Sequence, residues 1–259
     1  MARLWLRHRR WLVPLALALW VIAALALSSR SFIPRSTLAA TPPARLLASP
    51  RPHPLPPFLA QWQDTDRRGD YFDQIAPSEV GYLVWSSLPI QVYVEPSKPN
   101  LSGFAATQAE TWRQAIEQAI AAWQPYLPFT LVTTPETADI RIWRSAPPIQ
   151  RNPDGSLARI RAAETRYDLY TQTPAAGPAI LRHHFDVYLS PHQPAAYTQA
   201  TARHELGHAL GIWGHSPDPG DVLYYAQVRQ PPPISARDLN TLKRIYEQPT
   251  QVGWPIEAT

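Results

Sequence analysis

An α+β domain is predicted by three patterns in this chain of 259 residues. The first is a strict apolar/polar alternation in "IQVYVE", beginning at Ile90, which is the period of a half-buried strand. The second is a run of helical period, "TQAETWRQAIEQAIAAW", immediately after it. The third is the order of the later segments: several short strand patterns, a histidine-bearing helix, then a last helix after a loop. Strands grouped between helices, without regular alternation, point to a mixed sheet with helices on it. The length allows one sizeable domain with appendages.

The elements can be justified in order. "MARLWLRHRR" supplies Arg3, Arg7, Arg9 and Arg10 ahead of an apolar run from Trp11 to Leu27. A basic start before an apolar run is the pattern of an export signal, and Ala24 and Ala26 offer a small-x-small cleavage site. The run also reaches the short end of a membrane-spanning helix. If it stays uncut, the arginines would keep the N-terminus in the cytoplasm and send the rest across. Residues 1–27 are therefore expected to be a signal peptide or membrane anchor, helical and apolar. Residues 28–60, rich in Pro, Ala, Ser and Arg, are expected to be a spacer, since proline removes backbone donors and favours extended chain. A pro-segment covering the site is the competing reading. The folded domain is expected over 61–259, with its core at about 85–250. Residues 58–85 show no clear period.

In the helical run Thr107 and Glu110 form a sequence-level capping box, Trp112, Ala115, Ile116, Ala119, Ile120 and Trp123 give one apolar face, and Pro125 marks the end. Strands are expected at "FTLV" (Phe129), "DIRIWR" (Asp139), "LARIRAAE" (Leu157) and "HFDVYLS". In the last of these Phe185, Val187 and Leu189 alternate with His184, Asp186 and Tyr188. The final helix starts at Ser235 with Asp238 in capping position, presents Leu239, Leu242, Ile245 and Tyr246, and closes before Pro249.

The net charge of +4 is unevenly held: residues 1–60 carry eight basic residues and no acid, leaving 16 basic against 20 acidic residues in the rest. No basic face argues for a nucleic-acid partner. The chain has no cysteine, which excludes disulfides, thiolate metal ligands and cysteine nucleophiles.

The chemistry concentrates in "HELGHALGIWGHSPDPGDVLYY", His204 to Tyr225. On a helix His204 and His208 stand one above the other and can share a metal ion. Glu205 can lie beside that metal without ligating it and take a proton from a metal-bound water. Ala202, Leu206, Ala209 and Leu210 form the core stripe, so the histidines occupy the opposite face. Gly211 can adopt the left-handed turn that sends the chain back and returns His215 as a third ligand. Three neutral imidazoles leave a fourth position open, the arrangement of a catalytic zinc site. Asp218 and Asp221 are also within sequence reach of the metal, ranked below His215.

The string "HELGHALGIWGHS" resembles the HExxHxxGxxH signature of the metzincin metallopeptidases, and "HELGHALG" is closest to their matrixin branch. The resemblance covers roughly residues 85–250. It implies zinc ligands at His204, His208 and His215, a general base at Glu205, and a twisted mixed sheet carrying a long helix and the active-site helix above a smaller part that ends in the C-terminal helix. It also implies a substrate peptide lying along an edge strand. The sequence departs from the family at two points. Three residues, Ile212, Trp213 and Gly214, separate Gly211 from His215 where two are usual. Leu223 stands where the family places a methionine beneath the zinc, a volume-conserving exchange that usually costs little. Tyr225 matches the place of a tyrosine near the zinc in some metzincins; a wall residue is the simpler reading. The calcium and second zinc that matrixins often bind find no acidic loop here, and His183 and His184 are read as surface histidines.

The expected function is that of an exported zinc endopeptidase, periplasmic, extracellular or membrane-anchored, acting on a protein or peptide. Its expected state is a monomer that meets the membrane only through an uncut leader. The alternative is a non-catalytic binding module of the same fold.

Overall fold

The computed structural model describes residues 48–149, 151, 154–157 and 161–256, which belong to one compact unit. The expected leader and the first part of the expected spacer lie outside the described residues. Among those described, no helix is long and apolar enough to cross a membrane.

The core is a five-stranded mixed sheet in the order β2-β1-β3-β5-β4. The strands are β1 (Ile90–Val94), β2 (Phe129–Val132), β3 (Ile140–Trp143), β4 (Ala163–Gln172) and β5 (Ile180–Leu189). The pairings β1 with β2, β1 with β3 and β3 with β5 are parallel, and the β4–β5 hairpin is antiparallel. Four α-helices accompany the sheet among the described residues: α1 (Pro57–Gln61), α2 (Gly103–Trp123), α3 (Ala195–Ala209) and α4 (Ala236–Tyr246). The inward row of the sheet, including Ile90, Val92, Ile140, Ile142, Phe185 and Val187, joins one core with Trp112, Ile116 and Trp123 of α2 and Ala202, Leu206 and Ala209 of α3. The apolar faces anticipated for α2 and α4 are buried, and Ser235 with Asp238 closes a reciprocal capping box on α4.

Three expectations need correction. The helix α2 begins at Gly103, with Ser102 as N-cap, so Thr107 and Glu110 lie inside it. Thr107 donates back to the Gly103 carbonyl, and Glu110 pairs with Arg113. The segment "GFAAT" carries no stop signal, and the helix simply extends upstream. Of the strand expected from Leu157, residues 158–160 lie outside the described residues; the strand described there, β4, pairs with β5 from Ala163 to Gln172 and so runs well beyond the expected end.

The domain also starts before residue 61. Leu59 is fully buried, and the aperiodic stretch before β1 contributes Tyr71, Ile75, Val80, Leu83, Val84 and Trp85 to the core. Arg51 exchanges backbone hydrogen bonds with Thr250, and His53 stacks on Trp254 at 4.2 Å. Leu59 sits on the five-residue α1 and the others on largely irregular backbone, so no helix or strand period marks their burial.

Candidate metal centre

The helix α3 carries His204, Glu205 and His208 because its opposite face is apolar and is drawn into the core. Its end is fixed on several sides. The Ile212 amide donates to the Gly207 carbonyl and the Gly211 amide to that of His208, the paired bonds of a Schellman cap. Gly211 has φ +120, and a Cβ there would sit 2.5 Å from the Leu83 carbonyl oxygen, so only glycine fits. The Trp85 indole donates to the Ala209 carbonyl at 2.9 Å, and the Tyr246 hydroxyl donates to that of Leu210 at 3.1 Å.

From this stop the chain returns, and His215 joins the two helical histidines. One ring nitrogen of each of His204, His208 and His215 lies within 4.8 Å of the others. The additional residue in the link is accommodated by Gly214, which pairs with Ile75; a Cβ there would meet the Gln74 carbonyl at 2.4 Å. Trp213, in the same link, stands edge-on to Tyr167 at 5.1 Å and to the His208 ring at 5.9 Å. Neither Asp218 nor Asp221 joins the histidine cluster. Asp218 caps its own loop through the Gly220 amide, and Asp221 accepts from Ser216, Ser235 and Arg237.

The orientation of the rings fits a metal. His204 Nδ1 donates to the Val222 carbonyl at 2.7 Å, and His208 Nδ1 donates to that of Ile212 at 2.8 Å. Each bond commits Nδ1 as the protonated nitrogen and leaves the Nε2 lone pair for a ligand. Burial lowers the pKa of His208 well below the ordinary histidine value, and the neighbouring His204 adds to this. Burial, then His204, lowers that of His215 as well. Neutral imidazoles are the form a divalent cation needs.

Glu205 is 8% exposed, and Thr165 of β4 donates to its Oε2 at 2.6 Å. Burial raises the Glu205 pKa, against the lowering influences of His204 and Thr165. Thr165 lies one residue beyond the strand segment expected from Leu157, so the sequence pattern does not mark it. The signal that could have found it is the β-branched and aromatic spacing of Thr165, Tyr167 and Leu169.

Beneath the helix, Leu223 is fully buried, and its Cδ2 would lie 2.6 Å from a Cβ on Gly207. The turn that bears it is held by Asp238, which accepts from the Val222 amide at 2.9 Å, the Ser235 amide at 2.8 Å and the Tyr71 hydroxyl at 2.6 Å. No family model and no curated protein matches this chain. The site is therefore read from its own geometry.

Two cavities flank Glu205. An open one of about 550 Å³ is lined by the three histidines, Thr165, Trp213 and Tyr225. A second, of about 270 Å³, runs from His204 and Glu205 past Arg203 to Pro231 and Pro232. Tyr225, 66% exposed, borders both.

The expectation of two surface histidines at 183 and 184 is half wrong. His183 is 3% exposed, lies 4.1 Å from the Trp85 ring, and has no hydrogen-bond partner on either ring nitrogen. The strand β5 begins at Ile180, so its inward row runs Leu181, His183, Phe185. His184, on the other face, forms a group with Asp168 and Asp186. Asp186 there is already committed to Arg141 and to the Trp143 indole, each at 2.6 Å.

Proposed function

We propose that this protein is a zinc-dependent endopeptidase of metzincin type, matrixin-like, acting outside the cytoplasm. One observation carries the reading: three imidazoles converge, two of them with Nδ1 anchored to carbonyls, beside a buried glutamate that does not join the cluster. The mixed sheet with its long helix, the histidine-bearing helix and the last helix after a loop is the layout the resemblance implies.

His204, His208 and His215 would hold the ion through their free ring nitrogens. Bound zinc supplies Lewis acidity, polarising a peptide carbonyl and making water a stronger acid. Glu205 then does the proton work: its carboxylate accepts a proton from the attacking water and delivers it to the leaving amine. Thr165 holds that carboxylate in one orientation through Oε2. A raised pKa suits a group that must both take and release the proton. The strand β4 pairs only with β5 within the sheet and runs past the open cavity, so an extended peptide can add to its free edge. The leader pattern supports export, and its arginines favour placing the site on the far side of the membrane.

The test uses the purified full chain. It should hold one zinc per molecule by elemental analysis and cut an unfolded protein, and Glu205→Ala should retain the zinc and lose the cleavage. Full hydrolysis by Glu205→Ala would overturn the role of the base. Zinc without cleavage of any peptide in a broad library would favour the non-catalytic binding module.

A further inference from the structure

The 270 Å³ cavity beside His204 and Glu205 contains an unmet demand for an acceptor. Two of its lining residues carry buried donors with no hydrogen-bond partner: Nε of Arg203 and Nε2 of Gln193. Arg203 immediately precedes His204 on α3, and among the described residues its side chain makes one hydrogen bond, from Nη2 to the Pro232 carbonyl at 2.6 Å. It makes no ion pair with any described carboxylate. Gln193 has its Oε1 occupied by the Thr201 hydroxyl at 3.3 Å, which leaves the amide nitrogen over.

The carboxylates near this cavity are already engaged. Asp221 is 2% exposed and spent on Arg237, Ser216 and Ser235. Asp238, which acts on Arg203 only at longer range, accepts from Tyr71, Val222 and Ser235. Glu205 stands at the rim, held by Thr165. A guanidinium offers five N–H donors in a planar fork that matches a carboxylate, and leaving such a cation partly desolvated and unpaired is costly.

We propose that this cavity receives an acidic side chain, glutamate or aspartate, from the substrate residue flanking the cleaved bond, and that Arg203 with Gln193 selects it. The proposal rests on the hydrolase reading for the words "cleaved bond" but not for the preference itself. An aliphatic side chain would fill the space and leave the guanidinium without a counter-charge. A carboxylate neutralises the uncommitted charge of Arg203 and offers an acceptor beside the unpartnered donors. An amide could accept but would leave the charge unpaired.

The experiment uses the full zinc-loaded chain and four otherwise identical fluorogenic peptides bearing Glu, Gln, Leu or Lys beside the cleaved bond. The Glu peptide should be cut with kcat/KM about 10–100-fold above the Leu peptide, the range expected for a hydrogen bond to a charged group. Arg203→Gln should collapse that ratio toward one, and Arg203→Glu should turn it in favour of the Lys peptide. Binding of the same peptides to Glu205→Gln, followed by fluorescence anisotropy, gives a readout that needs no turnover. Preferential binding of the Glu peptide without cleavage by the wild-type chain sinks the hydrolase reading and leaves the cavity's preference standing. Equal handling of Glu and Leu peptides in both assays overturns the proposal, and so does equal handling of Glu and Gln. Circular dichroism on each Arg203 variant, checked against the wild-type melting curve, shows that a changed ratio comes from folded protein.

Discussion

Replacing Asp238 by alanine should weaken the fold and the candidate metal centre together, although its side chain does not join the histidine cluster. The carboxylate is fully buried and accepts from the Tyr71 hydroxyl, the Val222 amide and the Ser235 amide at 2.6–2.9 Å. A longer contact of 3.4 Å from the Leu223 amide is too weak to matter much. Burial raises the Asp238 pKa, and the Tyr71, Ser235 and Val222 hydrogen bonds oppose that rise. Alanine leaves three donors without an acceptor, at about 1–3 kcal/mol each before relaxation. A total loss of about 3–5 kcal/mol is expected after partial compensation, because buried networks are not additive. For a unit of this size that is a fall in Tm of about 6–20 °C.

The same substitution frees the Val222 segment, whose carbonyl orients His204. Loss of an outer-shell partner of this kind typically costs about 10–100-fold in metal affinity, and the lower end is expected here because one ring of three is affected. Thermal unfolding by circular dichroism reads the first effect, and competition with a chromophoric zinc chelator reads the second. A variant that melts within a degree or two of the parent and holds zinc equally well would show that the turn is fixed by something other than Asp238.

Further outcomes rest on single contacts. Gly207→Ala should destabilise the domain by about 1–3 kcal/mol through overpacking, since its Cβ would fall 2.6 Å from Leu223 Cδ2. Pairing it with Leu223→Ala should cost less than the sum of the two changes, and strict additivity in urea unfolding would disprove the contact. Thr165→Val should lower kcat about tenfold with little change in KM, the scale of one lost hydrogen bond to a charged group; an unchanged kcat would remove Thr165 from the positioning of Glu205. His183 is held neutral, with burial first and then Arg182 and His184 bringing its pKa to about 3. The folded value lies below the unfolded one of about 6.5, so its contribution is complete above that pH and is lost as the pH falls toward 3. The loss reaches about 3 kcal/mol at pH 4. Denaturant titrations of the wild type and His183→Leu should diverge across that window, and parallel curves would refute the assignment.

The regular elements were legible because their burial is periodic. Trp112 to Trp123, Ile90 to Val94 and the final helix at Ser235 announced themselves through period and capping, and the geometry agrees. The three histidines were legible because helix spacing and a glycine stop are local facts. What escaped was set by tertiary contact. Tyr71 is buried on irregular backbone and Leu59 on the five-residue α1, and neither offers a period to read. His183 is inward because β5 starts four residues before "HFDVYLS". Thr165 and Arg203 matter through partners 40 and 29 residues away, and spacing along the chain says nothing about those. Thr107 misled for the opposite reason: a capping pattern is necessary for a box but does not prevent a helix from starting earlier.

The outer margin of β4 is open backbone, and open backbone pairs indiscriminately. Its side chains Glu164, Arg166 and Asp168 fall at alternate positions and bring mixed charge to that margin. Charged side chains along an exposed edge are a common brake on edge-to-edge pairing between copies. A stretched, flexible visitor suffers no such penalty, whereas a compact loop cannot flatten against the rim. On the proposed hydrolase reading, this rim admits extended chain before any choice by side chain, and folded proteins should be cut only where a segment comes loose.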